Sequence, residues 1–331
     1  MGQFRRAVFN ALDAVCCSPT PSHSVVLRRR VARTFPSLSA RPFSRHAATG
    51  VTCASFAAAA FCTSASGDVK KSLCDEALPS TTRMTVVLFG DSITGWAFGS
   101  GGWGQRLGEY YNGRADVLNR GYPGYNTRFG LLAAGRLLRV KDAKDARERS
   151  MNEHLAAATI WTVMLGTNDS GLPNGGFAVV HVPLEEYERR LTSIVRTIQS
   201  VTTARTGQPA KVLVMTPSVV DEHRVGPDAG APSHTNANTG LYAEAARRVA
   251  SRCDAVLVDV YSAMQAEENL ADFLSDGLHL NEKGNELVFN LVKAAIEERL
   301  AELNPAVLPR EMPIVSDLWG DQDYVNVFAK Y

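Results

Sequence analysis

Short apolar runs recur along residues 85–260, and most stop at a glycine or a polar turn. Thr85-Val86-Val87-Leu88-Phe89 ends at Gly90-Asp91-Ser92, and Val117-Leu118-Asn119 ends at Arg120-Gly121-Tyr122-Pro123-Gly124. Ala158 to Leu165 stops at Gly166-Thr167-Asn168-Asp169, Lys211 to Met215 stops at Thr216-Pro217, and a last run spans Ala255 to Val260. β-Branched runs bounded by turn residues predict buried strands. Between them apolar residues return at helical intervals, which predicts helices over 101–111 (Trp103, Leu107, Tyr110), about 127–140, 183–203 (Leu184, Tyr187, Leu191, Ile194, Val195, Ile198) and around Tyr242, Ala246 and Val249. A last helix runs through Leu287, Val288, Leu291, Val292 and Ile296. Lys141 to Glu153 reads as a charged, solvated continuation of the second helix, and 221–238 as a long loop of turn residues.

Five strands alternating with helices predict an α/β fold, a parallel sheet with helices on both faces. Right-handed crossovers place every strand's carboxyl end on one edge, where chemistry usually sits in open α/β sheets. The folded domain is expected over 85–303, after a linker at 68–84 and before a tail at 304–331. Trp319, Tyr324 and Phe328 suggest that this tail docks on the domain.

Composition adds one asymmetry. The first 67 residues hold eight Arg and no Lys against the single acid Asp13, about +7, so the rest carries about −6 of the net +1. That remainder offers no basic face for nucleic acid. An Arg-, Ser- and Ala-rich, acid-poor start, with Phe4, Val8, Phe9, Leu12 and Val15 near helical spacing, fits a mitochondrial transit peptide. The apolar run Val51 to Cys62 leaves a recessed secretory signal as an alternative, and a cytoplasmic chain as another; the run is too short for a confident membrane span. Four of the six cysteines fall in this leader, leaving Cys74 and Cys253, and no spacing supports a disulfide framework or a zinc site.

The strand ends gather the parts of a nucleophilic site. Ser92 offers a hydroxyl, although Asp91 and Ser92 also suit a helix cap. His279 can take the serine's proton, and Asp276, three residues earlier, can hold the other ring nitrogen. Gly121 can bring a backbone N–H close because it lacks a Cβ, and Asn168 can offer an amide. Gly99-Ser100-Gly101-Gly102-Trp103-Gly104 matches a dinucleotide fingerprint only formally: it starts ten residues after the strand, and no acid follows about twenty residues on. Asn168-Asp169-Ser170 is a glycosylation sequon, expected to stay unmodified because a glycan there would block the site.

Gly90-Asp91-Ser92, Gly121 after Asn119-Arg120, Gly166-x-Asn168-Asp169 and Asp276-x-x-His279 resemble the four sequence blocks of the SGNH (GDSL) hydrolase superfamily over about residues 85–300. Gly101-Gly102-Trp103-Gly104, Leu118 to Tyr122, Gly124 to Thr127, Pro183 to Tyr187 and Asp276 to Leu280 resemble its isoamyl acetate-hydrolysing esterase branch. The resemblance implies a three-layer α/β/α flavodoxin-like fold with Ser92, Asp276 and His279 as catalytic residues. It implies an oxyanion hole from the N–H groups of Ser92 and Gly121 and the Asn168 amide. Short-chain acyl esters would be cleaved through an acyl-enzyme, with no metal and no organic cofactor. Trp96, Phe98, Trp103 and Tyr122 flank these segments and are candidates to line an apolar substrate cleft, as they are for core packing. An acyltransferase, a lipase or thioesterase, and a silent ligand-binding module on the same scaffold stay open as alternatives.

Overall fold

Val86 to Phe89 form a strand that meets no solvent on either face, which is why the run is continuously apolar rather than alternating. Val86 and Leu88 enter one core, Val87 and Phe89 the other. The computed structural model describes residues 83–225, 232–319 and 324–328, all within one compact unit, Glu76–Tyr331. The expected leader, nearly all of the linker and five of the six cysteines lie outside the described residues; Cys253 is a buried thiol.

Five parallel strands form one sheet: β1 (Met84–Gly90), β2 (Ala115–Gly121), β3 (Ile160–Met164), β4 (Lys211–Met215) and β5 (Val256–Val258), in the order β2-β1-β3-β4-β5. Gly90 pairs with both Gly121 and Met164, and Met164 with Met215, so the carboxyl ends finish level. The chain leaves β1 first to one side and returns to its other side, which makes the end of β1 the topological switch point.

The Phe89 face is covered by α3 (Thr127–Leu138), α4 (Ala146–Ala156), α5 (Leu184–Thr206) and α6 (Asn236–Arg252), and the Leu88 face by α2 (Trp103–Tyr110), α7 (Val260–Gln265) and α8 (Glu282–Arg299). A four-residue turn, α1 (Ser92–Gly95), follows β1. Leu191, Ile194, Val195 and Ile198 line one stripe of α5 and are fully buried, so Leu191→Ala would cost about 2–5 kcal/mol.

Two expectations are corrected. The helix expected to run on from Val140 breaks at a 3₁₀ turn over Val140–Asp142 and restarts as α4, which buries Asn152, Leu155 and Ala156 instead of lying fully solvated. Asp145 caps α4, its Oδ1 accepting from Glu148 N at 2.7 Å. The tail docks, but not chiefly through the aromatics expected to seat it. Leu303 and Leu308 pack on the Leu88-side core, the Arg114 guanidinium donates to the Leu308 carbonyl, and Glu311 pairs with Arg83 at 3.0 Å. Trp319, Tyr324 and Phe328, on or beside the short helices α9 (Val315–Leu318) and α10 (Tyr324–Phe328), are 78%, 57% and 47% exposed, while Val327 of α10 is buried.

Candidate active site

Ser92 owes its position to three anchors around the turn that leaves β1. Asp91 caps α1, its Oδ1 accepting from Ile93 N at 2.9 Å, which makes Ser92 the first residue of a helical turn whose N–H has no intrahelical acceptor. Gly121 presses against the same turn so closely that a Cβ there would lie 2.1 Å from Gly95 N. Asn119 ties the two together, its amide donating to the carbonyls of Thr94 and Gly95 at 2.9 and 3.1 Å while its Oδ1 accepts from Gly121 N at 2.8 Å.

His279 reaches Ser92 from the loop before α8. Asp276 folds that loop over itself, Oδ1 accepting from the backbone N–H of Leu278 and His279 at 2.9 and 2.8 Å. Its Oδ2 lies 2.6 Å from His279 Nδ1, and His279 Nε2 lies 3.0 Å from Ser92 Oγ. Burial pushes the Asp276 carboxyl up, but hydrogen bonds from the His279 ring and backbone outweigh it and hold the group at about 2. An ionised carboxylate can only accept, so Nδ1 carries the proton and Nε2 presents its lone pair to the serine hydroxyl. This is the order of groups in which a serine can pass its proton to an imidazole while attacking an acyl carbon.

The loop is braced from outside. Asp221 N donates to Gly277 O at 2.8 Å, and the Arg224 guanidinium donates to Ser275 O at 2.6 Å and Leu274 O at 3.1 Å. Gly277 has φ +93, and a Cβ there would meet Val225 N at 2.7 Å, so this turn needs a residue without a side chain. Trp96 stands against the imidazole, ring centres 4.2 Å apart.

The end of β3 supplies the third wall. Asn168 is nearly buried and donates one amide hydrogen to Tyr125 O at 2.9 Å, which leaves the second for another acceptor. Beside it Asp169, fully buried, accepts from Thr127 N at 2.9 Å and from Thr127 Oγ1 at 2.5 Å, pinning the start of α3. Burial pushes the carboxyls of both Asp91 and Asp169 up to about 7. His234, also buried, lies 3.1 Å from Thr167 O and 3.0 Å from Ser233 Oγ; burial lowers its imidazole to about 4, so it is neutral at pH 7, with Nε2 donating to the carbonyl.

The stretch 88–287 matches the model of the GDSL-like lipase/acylhydrolase family. The chain belongs to that family. It is 35% identical over 242 residues to the GDSL esterase/lipase At5g45920 of Arabidopsis thaliana, covering 71% of this chain and 94% of that one. It is likewise 35% identical over 248 residues to the human isoamyl acetate-hydrolyzing esterase 1 homolog, covering 72% of this chain and 93% of that one. The solved lipase/acylhydrolase from Enterococcus faecalis matches 70% of this chain and 100% of its own at a TM-score of 0.48 and 22% identity. As a GDSL family member the chain is a carboxylic ester hydrolase.

The structure brings Ser92, His279 and Asp276 into one hydrogen-bonded line, with Gly121 packed against the serine turn, and sets Asn168 in the loop after β3 with its amide on Tyr125 O. Two sequence expectations change. Trp103 does not line a cleft: it is fully buried beneath the serine turn, its indole N–H donating to Ile93 O at 3.3 Å. The Gly121 N–H, expected in the oxyanion hole, is paired with Asn119, so the tight contact between Gly121 and α1 is what the structure gives this glycine. Trp96 is exposed beside His279, and Tyr122 is half-buried, edge-on to Phe89 and stacked on Tyr125. Asn119, Arg224 and His234 went unrecognised because each acts through backbone groups distant in sequence. Asn119 alone left a trace, as part of the Asn119-Arg120-Gly121 block. Among the described residues no group of three or more His, Cys, Asp or Glu is placed to hold a metal, and no helix is long and apolar enough to cross a membrane.

Proposed function

We propose that the chain hydrolyses short-chain acyl esters through a covalent acyl-enzyme on Ser92. The observation that carries this reading is the continuous line from Asp276 through His279 to Ser92 Oγ, with contacts of 2.6 and 3.0 Å. Ser92 Oγ attacks the ester carbonyl as its proton passes to His279 Nε2, and Asp276 stabilises the resulting imidazolium. The Ser92 N–H and the second amide hydrogen of Asn168 stabilise the developing oxyanion. His279 returns the proton to the departing alkoxide, then takes one from the water that cleaves the acyl-enzyme and releases the acid. The acetate-like acyl group is supported by the human relative's name and by the motifs shared with that branch. For residues 1–67 we propose a mitochondrial leader, on their Arg-rich, acid-poor composition.

Ser92→Ala is expected to abolish both p-nitrophenyl acetate hydrolysis and labelling by a fluorophosphonate; a variant that still labels at this site would remove Ser92 as nucleophile. Asn168→Ala is expected to lower kcat by about 10²–10³ with the fold intact, the loss typical of one oxyanion donor. A change below about threefold would take Asn168 out of that role.

A further inference from the structure

The loop that carries the acid and the base is a small hairpin closed on itself. Leu274 and Leu280 form an antiparallel bridge, Ser275 N donates to His279 O at 2.8 Å, and Asp276 accepts from both the backbone and the ring N–H of His279 at 2.8 and 2.6 Å. These bonds fix Asp276 relative to His279. None of them fixes either residue relative to Ser92, which stands on the turn after β1.

Two attachments supply that placement. On the carboxyl side the hairpin runs into α8, where Asn281 Oδ1 accepts from Gly284 N at 3.0 Å and Asn285 Oδ1 accepts from Trp103 N at 3.1 Å, beneath the serine turn. On the amino side the attachment is the segment that follows β4. Its Val219, Val220 and Val225 are buried, and it is tied to the start of α6 twice: Val220 N donates to Asn236 Oδ1, and Asn236 N to Glu222 Oε2, both at 3.1 Å. From this anchored segment Arg224, itself exposed, reaches the hairpin's first arm. Its Nη2 donates to Ser275 O at 2.6 Å, and its Nη1 to Leu274 O at 3.1 Å and Ala271 O at 3.4 Å. Among the described residues, every hydrogen bond of this guanidinium goes to a carbonyl of the one loop. Leu274 and Ser275 follow the 3₁₀ turn Leu270–Phe273, and free carbonyls at the end of a helical turn favour a cation.

We infer that Arg224 is a positioning residue for the reaction: its guanidinium fork places the hairpin as one body, and so sets the distance from His279 Nε2 to Ser92 Oγ, while leaving the Asp276–His279 contact alone. This rests on the acyl-enzyme reading above and adds to it a group that touches neither substrate nor the reacting atoms. The fork matters because neighbouring carbonyls are held at once by two nitrogens in a fixed plane, which a lysine ammonium does not reproduce. His279 moves the proton in both halves of the reaction, so a displaced hairpin slows acylation and deacylation alike. A misplacement near 1 Å can cost about a hundredfold, and because α8 still holds the other arm the loss expected here is about tenfold.

The test measures kcat, KM and the pH profile of p-nitrophenyl acetate hydrolysis for the full chain, Arg224→Met and Arg224→Lys, each normalised to active sites titrated with a fluorophosphonate. Methionine keeps an apolar stem and removes every donor, whereas lysine keeps the charge without the fork. Arg224→Met is expected to lower kcat about tenfold per labelled serine with KM within about twofold. Its pH midpoint is expected to stay where it is in the unaltered chain, because the contacts between Asp276 and His279 lie inside the hairpin. Arg224→Lys is expected to recover less than about half of the lost kcat. A kcat in Arg224→Met within about twofold of the unaltered chain overturns the inference even if the thermal midpoint falls, since that is the mark of a purely structural bond. Full recovery in Arg224→Lys overturns it by assigning the effect to charge, and a shifted pH midpoint overturns it by assigning the effect to the Asp276–His279 pair. If Arg224→Met yields no labelled protein, Arg224→Lys decides alone: a severalfold lower kcat at unchanged KM supports the inference, and full kcat overturns it. In each of these cases a labelled, active Ser92 in the unaltered chain leaves the esterase reading standing. An unaltered chain that neither labels at Ser92 nor turns over the ester overturns the acyl-enzyme reading and this inference with it.

Discussion

Asp91 does two things at once. Its Oδ1 caps the turn that presents Ser92, while its Oδ2 is buried with no hydrogen-bond partner among the described residues. Burial pushes this carboxyl from 3.8 up to about 7, against the pull of the Ile93 N–H and of His279. The folded state therefore keeps a proton that the unfolded chain has released, and stability falls as pH rises from about 4 through 7. Asp91→Asn keeps the cap acceptor and removes the titration, so its Tm relative to the unaltered protein is expected to rise between pH 5 and pH 8, by about 2–4 °C per kcal/mol relieved. Thermal denaturation at the two pH values checks this, and a pH-independent difference would contradict it. Asp169 titrates in the same sense and is itself raised by the Asp91 charge, so the substitution also lets Asp169 ionise more readily. The capping role of Asp91 was visible in the sequence, because Asp before a turn is a local signal. Its buried charge was not, since burial depends on the cores that close over β1.

At the scale of elements, the site is a contact between backbones. α1 and β2 approach so closely at Gly121 that a methyl group would meet Gly95 N at 2.1 Å and Thr94 C at 2.4 Å, both backbone atoms that cannot turn aside. Gly121→Ala is expected to push the Ser92 turn away from His279 Nε2, lowering kcat for p-nitrophenyl acetate by at least about tenfold, since displacements near 1 Å cost that much or more. Steady-state kinetics alongside the thermal midpoint decide it: full activity in a folded variant would show that the turn has room to shift. Three of the four segments were legible in the sequence because each combines an apolar run with a turn and chemistry-bearing residues, while Asp276-x-x-His279, in the loop before α8 and at no strand end, was legible by its spacing. Helix α4 was not, because Lys141 to Arg149 alternates charges that hide a face built on Asn152, Leu155 and Ala156; Asp145 with Glu148 three residues on was the capping signal that marked its start.

For the whole molecule, β1 is the decisive strand: it pairs with β2 on one side and β3 on the other, and its side chains enter both cores. Its first residues are held from the far end of the chain as well, through Arg83, which pairs with Asp116 at 3.4 Å and Glu311 at 3.0 Å. Among the described residues, the contacts named above that position Ser92, Asn168 and His279 all come from the compact unit that starts at Glu76. A chain that begins at Glu76, where the compact unit starts, is accordingly expected to fold and to hydrolyse p-nitrophenyl acetate within about twofold of the full chain per labelled serine. A chain ending before Asn304 is expected to behave differently. It loses the packing of half-buried Leu308 and the ion pair of Arg83 with Glu311, the leucine contributing a part of the about 1.5–3 kcal/mol that full burial is worth. Its thermal midpoint should drop by several degrees while the labelled fraction at low temperature stays high. Equal midpoints for the two truncations would show that the docked part of the tail contributes nothing to the domain, and loss of labelling on removing residues 1–75 would show that the amino-terminal segment takes part in building the site.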